Sequence, residues 1–172
     1  MTDIGEYLVG AYLKVTEECD FVNYNVRPPG GRLKGLGELD VIGFKFKERT
    51  VYLCEVTTHI KGTLYGSGAN YTIKKISEKY DRQRKYYNET LKDNFDKVHY
   101  MFWSPVVPKG KITEDIAELR GLELVINEEY SRRINKLIKE AKGKTNDEVN
   151  PAFRLLQILN HMKKERERIN IK

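Results

Sequence analysis

Two strand-like segments that carry acidic residues constrain this chain most. Residues 39–43 and 51–56 are rich in apolar residues, as strands are, yet Asp40 and Glu55 interrupt them. The short interval between the segments predicts an antiparallel hairpin. Its two carboxylates then meet at one end, where they repel each other unless a cation or a proton lies between them. Hard divalent cations such as Mg²⁺ prefer such oxygen ligands; the simpler alternative is a pair of solvated surface acids.

The predicted register of the hairpin supports this convergence. The turn is predicted at residues 47–50, with its first and last residues paired, which extends to a pairing of Asp40 with Thr57. Side chains alternate along a strand with a period of two, so Glu55 and Thr57 share a face, and Asp40 points from that same face. Glu38 is in step with Asp40 and is predicted to be a further acid at the rim.

Composition favours a one-domain globular protein with an anionic partner. The chain has 172 residues, and 31 Lys and Arg against 25 Asp and Glu give a formal charge of +6. Its two cysteines, Cys19 and Cys54, make neither a disulfide framework nor a zinc site, which suits a reducing compartment. We see no signal peptide and no apolar run near the ~18 residues that span a bilayer. The expected location is therefore the cytoplasm, with no membrane contact.

The remaining pattern alternates between helices and strands and predicts an α/β fold. Apolar residues at three- and four-residue spacing predict a helix that begins near Ile4, and a long helix is expected at residues 71–91. Buried strands are expected at residues 98–103 and 122–126. Pro151 is predicted to open a last amphipathic helix. We therefore expect a central mixed sheet with helices on both sides.

Basic residues flank the predicted acid pair on two sides. A glycine-rich segment before the first acid brings Arg27, Arg32 and Lys34, which are suited to contact a phosphate backbone, although a solvated loop is the alternative. The helix after the hairpin carries a dense set of cations: Lys74, Lys75, Lys79, Arg82, Arg84 and Lys85. Tyrosines between these cations, Tyr87 among them, either stack on bases or anchor the helix to the sheet. A nucleic acid is the expected partner.

Four short motifs together resemble the PD-(D/E)XK nuclease superfamily, and in particular its small resolvase-like and RecB-like members. Glu6 matches the acid on the first helix of that superfamily, and Asp40 matches the acid at the start of a strand. The tripeptide at residues 55–57 matches (D/E)-x-K except at its last position. Gln83 and Tyr87 match the Q-x-x-x-Y pattern of the following helix.

Threonine at position 57 is the main departure from the superfamily pattern. The lysine usual there orients or activates the attacking water and stabilises charge in the transition state, and threonine carries no positive charge. Lys75, Lys79 and Gln83 are spaced by four and lie along one helix face. Lys79, one turn before Gln83, is therefore the first candidate for a displaced lysine, and Lys75 is the second.

The resemblance implies a nuclease that uses Mg²⁺ or Mn²⁺. It implies that Asp40, Glu55 and the backbone carbonyl of Val56 hold the ion. It also implies that Glu6 completes the acidic cluster and that Gln83 positions the water, the scissile phosphate or the metal shell. Tyr87 would support the helix near the cleft or contact the nucleic acid. Lys75 would contact the nucleic acid.

The expected protein is thus a DNA-cutting enzyme with a restriction-endonuclease-like core. We expect an α/β domain at residues 1–145 and, at residues 146–172, a C-terminal helix that packs on it or forms the interface of a homodimer. Two alternatives stay open. One is a catalytically inactive nuclease-fold module that binds nucleic acid, and the other is an interaction protein that uses its last helix.

Overall fold

The computed structural model describes four stretches of the chain: residues 2–27, 37–66, 68–146 and 149–169. For residues 164–169 it describes the backbone alone. The phosphate contacts predicted at Arg32 and Lys34 lie outside the described residues. The helices are α1 (Ile4–Val15), α2 (Ala69–Tyr86), α3 (Lys111–Ala117), α4 (Asn127–Ala141) and α5 (Pro151–Ile169), and a π-helical turn (Tyr87–Leu91) extends α2. The strands are β1 (Phe21–Val26), β2 (Leu39–Lys45), β3 (Thr50–Val56), β4 (Lys97–Ser104) and β5 (Leu122–Ile126).

The five strands form one mixed sheet in the order β1-β2-β3-β4-β5. The pairs β1–β2 and β2–β3 are antiparallel, whereas β3–β4 and β4–β5 are parallel. The carboxyl ends of β3, β4 and β5 therefore lie at the same edge of the sheet as the amino end of β2. Helices pack on both faces of this sheet, which confirms the predicted α/β class with a flanked mixed sheet.

The hairpin register differs from the sequence-based prediction by two residues. Lys45 pairs with Thr50, so the turn comprises residues 46–49, and continuing the register places Asp40 opposite Glu55. Contacts from outside the hairpin fix this turn: the Asp20 carboxylate accepts from the backbone N–H of residue 46, and the Arg49 guanidinium donates to Asp96. A shift of two residues keeps every side chain on its face. The predicted convergence of the two acids survives for that reason.

The two faces of the sheet carry separate cores. On one face, α1, α4 and α5 pack around the fully buried Trp103, Leu137 and Phe153. On the other face, α2 and α3 pack with buried side chains such as Ile76 and Phe102. Each large side chain that is fully buried contributes roughly 1.5–3 kcal/mol to folding. Because alternate residues of β3 face opposite cores, its one acidic residue is carried into an apolar environment.

The last strand differs from the sequence-based prediction, whereas the last helix begins at the predicted Pro151. β5 was expected to be buried, but it is the edge strand, and only Val125 is fully enclosed. The last helix, α5, packs against α1 and α4 and leaves a half-exposed apolar stripe on its outer side: Leu155, Ile158, Leu159 and Met162. The homodimer stays a prediction. Among the described residues, no helix has the length and apolarity needed to cross a membrane.

Candidate active site

Asp40 of β2, Glu55 of β3 and Lys79 of α2 meet at one edge of the sheet, and we call these three residues the acid–lysine cluster. The Lys79 Nζ donates to Glu55 Oε2 at 2.7 Å and lies 3.9 Å from Asp40 Oδ2. Lys79 is the residue whose helical spacing pointed to this edge of the sheet. The side chains of Lys79 and Asp40 are 22% and 17% exposed, whereas Glu55 is only 2% exposed. Solvent therefore reaches the cluster from the side of Asp40 and Lys79.

The backbone of β3 holds Asp40 in place. The Val56 N–H donates to Asp40 Oδ2 at 2.8 Å, across the end of the hairpin. Charge-assisted bonds of this kind are among the stronger hydrogen bonds in proteins. The next residue, Thr57, donates its N–H to the carbonyl of Trp103 at 2.9 Å. This hydrogen bond continues the pairing with β4 by one residue beyond the end of β3. The Asp40 carboxylate is thus fixed relative to Glu55 by main-chain geometry.

The fold strongly changes the ionisation of Glu55. Burial raises its pKa to about 7, the neighbouring Asp40 charge acts in the same direction, and Lys79 and Arg82 oppose both. For Lys79, burial works against the ammonium form, but Glu55 and Asp40 outweigh it and the pKa is raised. Lys79 is thus positively charged at neutral pH, whereas Glu55 exchanges a proton near neutrality.

The raised pKa of Glu55 predicts a specific pH dependence of stability. Folded Glu55 keeps a proton between pH 4.5 and about 7 that the unfolded chain releases, so its contribution to the free energy of unfolding falls as pH rises through that window. A shift of this size corresponds to at most about 3 kcal/mol. Urea unfolding of the wild type and Glu55→Gln from pH 4.5 to 8 should show the variant gaining relative stability as pH rises. Glu78→Gln, an exposed change of the same kind, is the control. A difference that does not vary with pH would contradict the assignment.

Gln83 sets the position of Lys79 rather than facing the cleft. Its side chain is fully buried, and its Nε2 donates to the carbonyls of Leu53 on β3 at 2.9 Å and Met101 on β4 at 3.1 Å. The amide nitrogen expected to position water or phosphate is therefore already engaged with backbone. Because Lys79 lies one helical turn earlier, this anchor fixes the height of the ammonium above the acids.

Glu6 lies near the same edge of the sheet, but its carboxylate already accepts hydrogen bonds that hold the start of α1. Asp3 caps α1 by accepting from the Gly5 N–H at 2.8 Å, and Glu6 accepts from the Asp3 N–H at 3.2 Å, which completes a capping box. Glu6 also accepts from the Asn25 side chain at 2.8 Å. Burial, and to a smaller degree the charge of Asp40, raises the pKa of Glu6. Glu6 thus shares the electrostatic environment of the cluster while it holds the start of α1.

The residues predicted to bind nucleic acid have other contacts. Arg27 forms an exposed ion pair with Glu38, the acid predicted at the rim, through an Nε–Oε1 bond of 2.6 Å. Lys75 pairs with Glu78 on the surface of α2. Both cations remain reachable from solvent.

Tyr87 does not lie on a binding surface. Its ring is buried in the core, and its hydroxyl donates to the carbonyl of Phe95 at 2.8 Å, so the prediction that it contacts nucleic acid is wrong. Of the two roles that the sequence left open for the tyrosines of α2, Tyr87 takes the second and anchors the helical segment to the sheet.

Two residues near the cluster were missed as site residues. Arg82 Nη2 lies 3.9 Å from Glu55 Oε1, and its guanidinium lies against Gly37, so a Cβ atom at residue 37 would require the guanidinium to move. Tyr65 lies with its ring centroid 5.9 Å from the Lys79 ammonium. Arg82 is three residues after Lys79, so the periodicity of α2 contained the signal for it. No sequence pattern marks Tyr65.

The donor atoms at the cluster fit a hard divalent cation in part. Among the described residues, six buried side-chain atoms make no hydrogen bond, and one of them, Glu55 Oε1, belongs to the acid–lysine cluster. An anionic oxygen left so is costly unless a ligand shares it. Mg²⁺ is often held by only one or two carboxylates, with water and substrate phosphate completing its shell. Within the described part of the chain no group of three or more His, Cys, Asp or Glu is placed to hold a metal.

Comparisons with known proteins do not assign this chain to a family. No protein-family model matches it, and neither the curated proteins nor the solved structures include a significant match.

Proposed function

We propose that this protein is a metal-dependent nuclease that hydrolyses phosphodiester bonds in DNA, with a restriction-endonuclease-like core. The observation that carries the proposal is the convergence of Asp40, Glu55 and Lys79 from three different elements at one partly open edge of the sheet. The resemblance of the chain to PD-(D/E)XK nucleases implies two acids and a lysine at one site. Here Lys79 of α2 would supply the positive charge that is missing at Thr57.

Each residue of the acid–lysine cluster has a distinct part in the proposed reaction. Asp40, Glu55 and the Val56 carbonyl would hold the cation, and Glu55 Oε1 accepts no hydrogen bond from the residues that the structure describes. A bound Mg²⁺ or Mn²⁺ lowers the pKa of water and neutralises charge on phosphate. Lys79, whose pKa is raised, is suited to stabilise negative charge on the phosphate and unsuited to accept a proton.

The flanking cations supply a route for the phosphate backbone. Lys75 and Arg27 are solvent-exposed, and their ion pairs with Glu78 and Glu38 lie at the surface, where such pairs contribute little and exchange readily. A formal charge of +6 over 172 residues favours association with a polyanion.

Incubation with DNA tests the proposal directly. Supercoiled, linear and branched DNA should be cut in the presence of Mg²⁺ or Mn²⁺ and should remain intact with EDTA. Cleavage that persists in EDTA, or the absence of cleavage with every substrate and metal, would contradict it. RNA of the same sequence is the matched comparison for the choice of DNA.

A second candidate is a nuclease-fold module that binds nucleic acid without cutting it. One observation favours it: Lys79 and Arg82 already lie close enough to oppose the charges of Asp40 and Glu55 in the absence of a metal. The same assay separates the two candidates, because the module would bind DNA in a salt-dependent manner and leave it uncut in every metal.

A further inference from the structure

The connection between β3 and α2, residues 57–66, is fastened at two buried points. The Thr63 hydroxyl lies 2.5 Å from that of Ser104, and the Thr63 N–H donates to the carbonyl of Val106 at 2.9 Å. Further along, the hydroxyl of Thr72 in the first turn of α2 accepts from the Tyr65 N–H at 2.9 Å. Both threonines are completely buried. Residues 63–65 are therefore held in a defined position, with Tyr65 beside the acid–lysine cluster.

This fastened stretch and the start of α2 expose large apolar and aromatic side chains. Leu64 is 52% exposed and Tyr71 is 47% exposed, and Ile60, just before the first anchor, is 82% exposed. Single exposed hydrophobic residues need no explanation, but exposed rings next to a functional site indicate a binding surface. We call the two rings of this region, Tyr65 and Tyr71, the aromatic platform.

The aromatic platform is continuous with the acid–lysine cluster. The Tyr65 ring lies next to the Lys79 ammonium. The following residue, Gly66, has φ +58°, and a Cβ there would lie 2.9 Å from the Tyr71 ring, so Tyr71 packs directly against this turn. The Lys75 ammonium lies 5.4 Å from the centroid of the Tyr71 ring. Tyr65 and Tyr71 thus each lie beside a lysine ammonium, and the turn at Gly66 connects the two rings.

We propose that the platform binds unpaired bases, and that the preferred substrate of this site is single-stranded DNA or a single-stranded tail. This inference rests on the proposed nuclease function and specifies its substrate class. Aromatic rings stack on the faces of bases, and these faces are accessible only where the bases are unpaired. The Lys75 and Lys79 ammonium groups beside the two rings supply positive charge for the phosphates. Because every base has such a face, the platform carries no sequence preference.

Binding measurements with Tyr71→Ala test this inference without requiring cleavage. Fluorescence anisotropy in EDTA would compare a labelled single strand with a blunt duplex of the same length. The wild type should prefer the single strand, and Tyr71→Ala should weaken that binding by about 5- to 100-fold while duplex binding changes less than about 2-fold. Tyr71→Phe should retain binding because it keeps the ring. Phe46→Ala removes an equally exposed ring at the hairpin turn, the far end of β3 from Glu55, and should change neither affinity.

The outcomes separate the two proposals. Equal binding of both DNA forms, a preference for duplex, or no effect of Tyr71→Ala would overturn the platform and leave the nuclease proposal standing if cleavage is seen. Single-strand binding that depends on Tyr71 without cleavage in any metal would support the platform and reject the nuclease. A loss of both affinities in Tyr71→Ala, with an unchanged unfolding midpoint, would also overturn the platform, since it would show a contact that does not distinguish strands.

Discussion

Glu55→Gln and Asp40→Asn should each lower the rate of DNA cleavage by about 100- to 1000-fold, the range seen when one charge-stabilising group is removed from an active site. Both changes keep the shape of the side chain and remove its negative charge. The asparagine introduced by Asp40→Asn still offers an oxygen to the Val56 N–H, so the end of the hairpin should keep its geometry. The loss would therefore report on charge at the acid–lysine cluster. Plasmid cleavage at several Mg²⁺ concentrations is the measurement.

A matched control is available on α2. Glu78→Gln removes the same charge from an exposed glutamate paired with Lys75, and its rate should stay within about 3-fold of wild type because a surface ion pair contributes little. DNA binding by Glu55→Gln and Asp40→Asn in EDTA should also be retained. If both variants cut DNA at the wild-type rate, the two acids have no catalytic part and the nuclease proposal fails at this site.

Lys79→Met should lower the cleavage rate by about 100-fold and should also shift its pH dependence. Without the ammonium at 2.7 Å, Glu55 loses the largest influence that favours its charged form, so its pKa should rise above about 7. The rising limb of the pH–rate profile should move to higher pH. Lys79→Arg restores a positive charge and should recover part of the rate, although a guanidinium does not reproduce the ammonium geometry.

The pH–rate profile separates a role at the acids from a general loss of structure. Lys75→Met, an exposed change one turn earlier on the same helix, should leave the position of the limb unchanged. If Lys79→Met cuts DNA normally and its limb does not move, the displaced-lysine assignment is excluded while the two acids keep theirs.

The sequence contained enough information for the sheet and for the convergence of the acids. Alternation fixes which face a side chain takes, and a face does not change when the register shifts by two residues. The position of the hairpin turn was wrong because contacts from Asp20 and Asp96, distant in sequence, decide it. β5 has a strong apolar pattern, yet its place at the edge of the sheet depends on topology that a local pattern does not contain.

Within the site, helical spacing located residues better than it assigned their roles. Lys79, Gln83 and Tyr87 follow one face of the helical segment, as their spacing by four predicts. Depth along that face separates them: Lys79 reaches the open edge, whereas Gln83 and Tyr87 lie under the sheet and bond to backbone carbonyls. Periodicity gives direction around a helix and no information on how closely the helix approaches its sheet.

The two hydrogen bonds that the Gln83 side chain donates to backbone carbonyls have a mechanical consequence. They lie between β3 and β4, the first parallel pair of the sheet, and they tie both strands to α2 with one amide. Separation of these two strands would release the helix and withdraw Lys79 from the acids in the same movement. The pairing of β3 with β4 and the position of Lys79 beside the two acids thus depend on the same side chain.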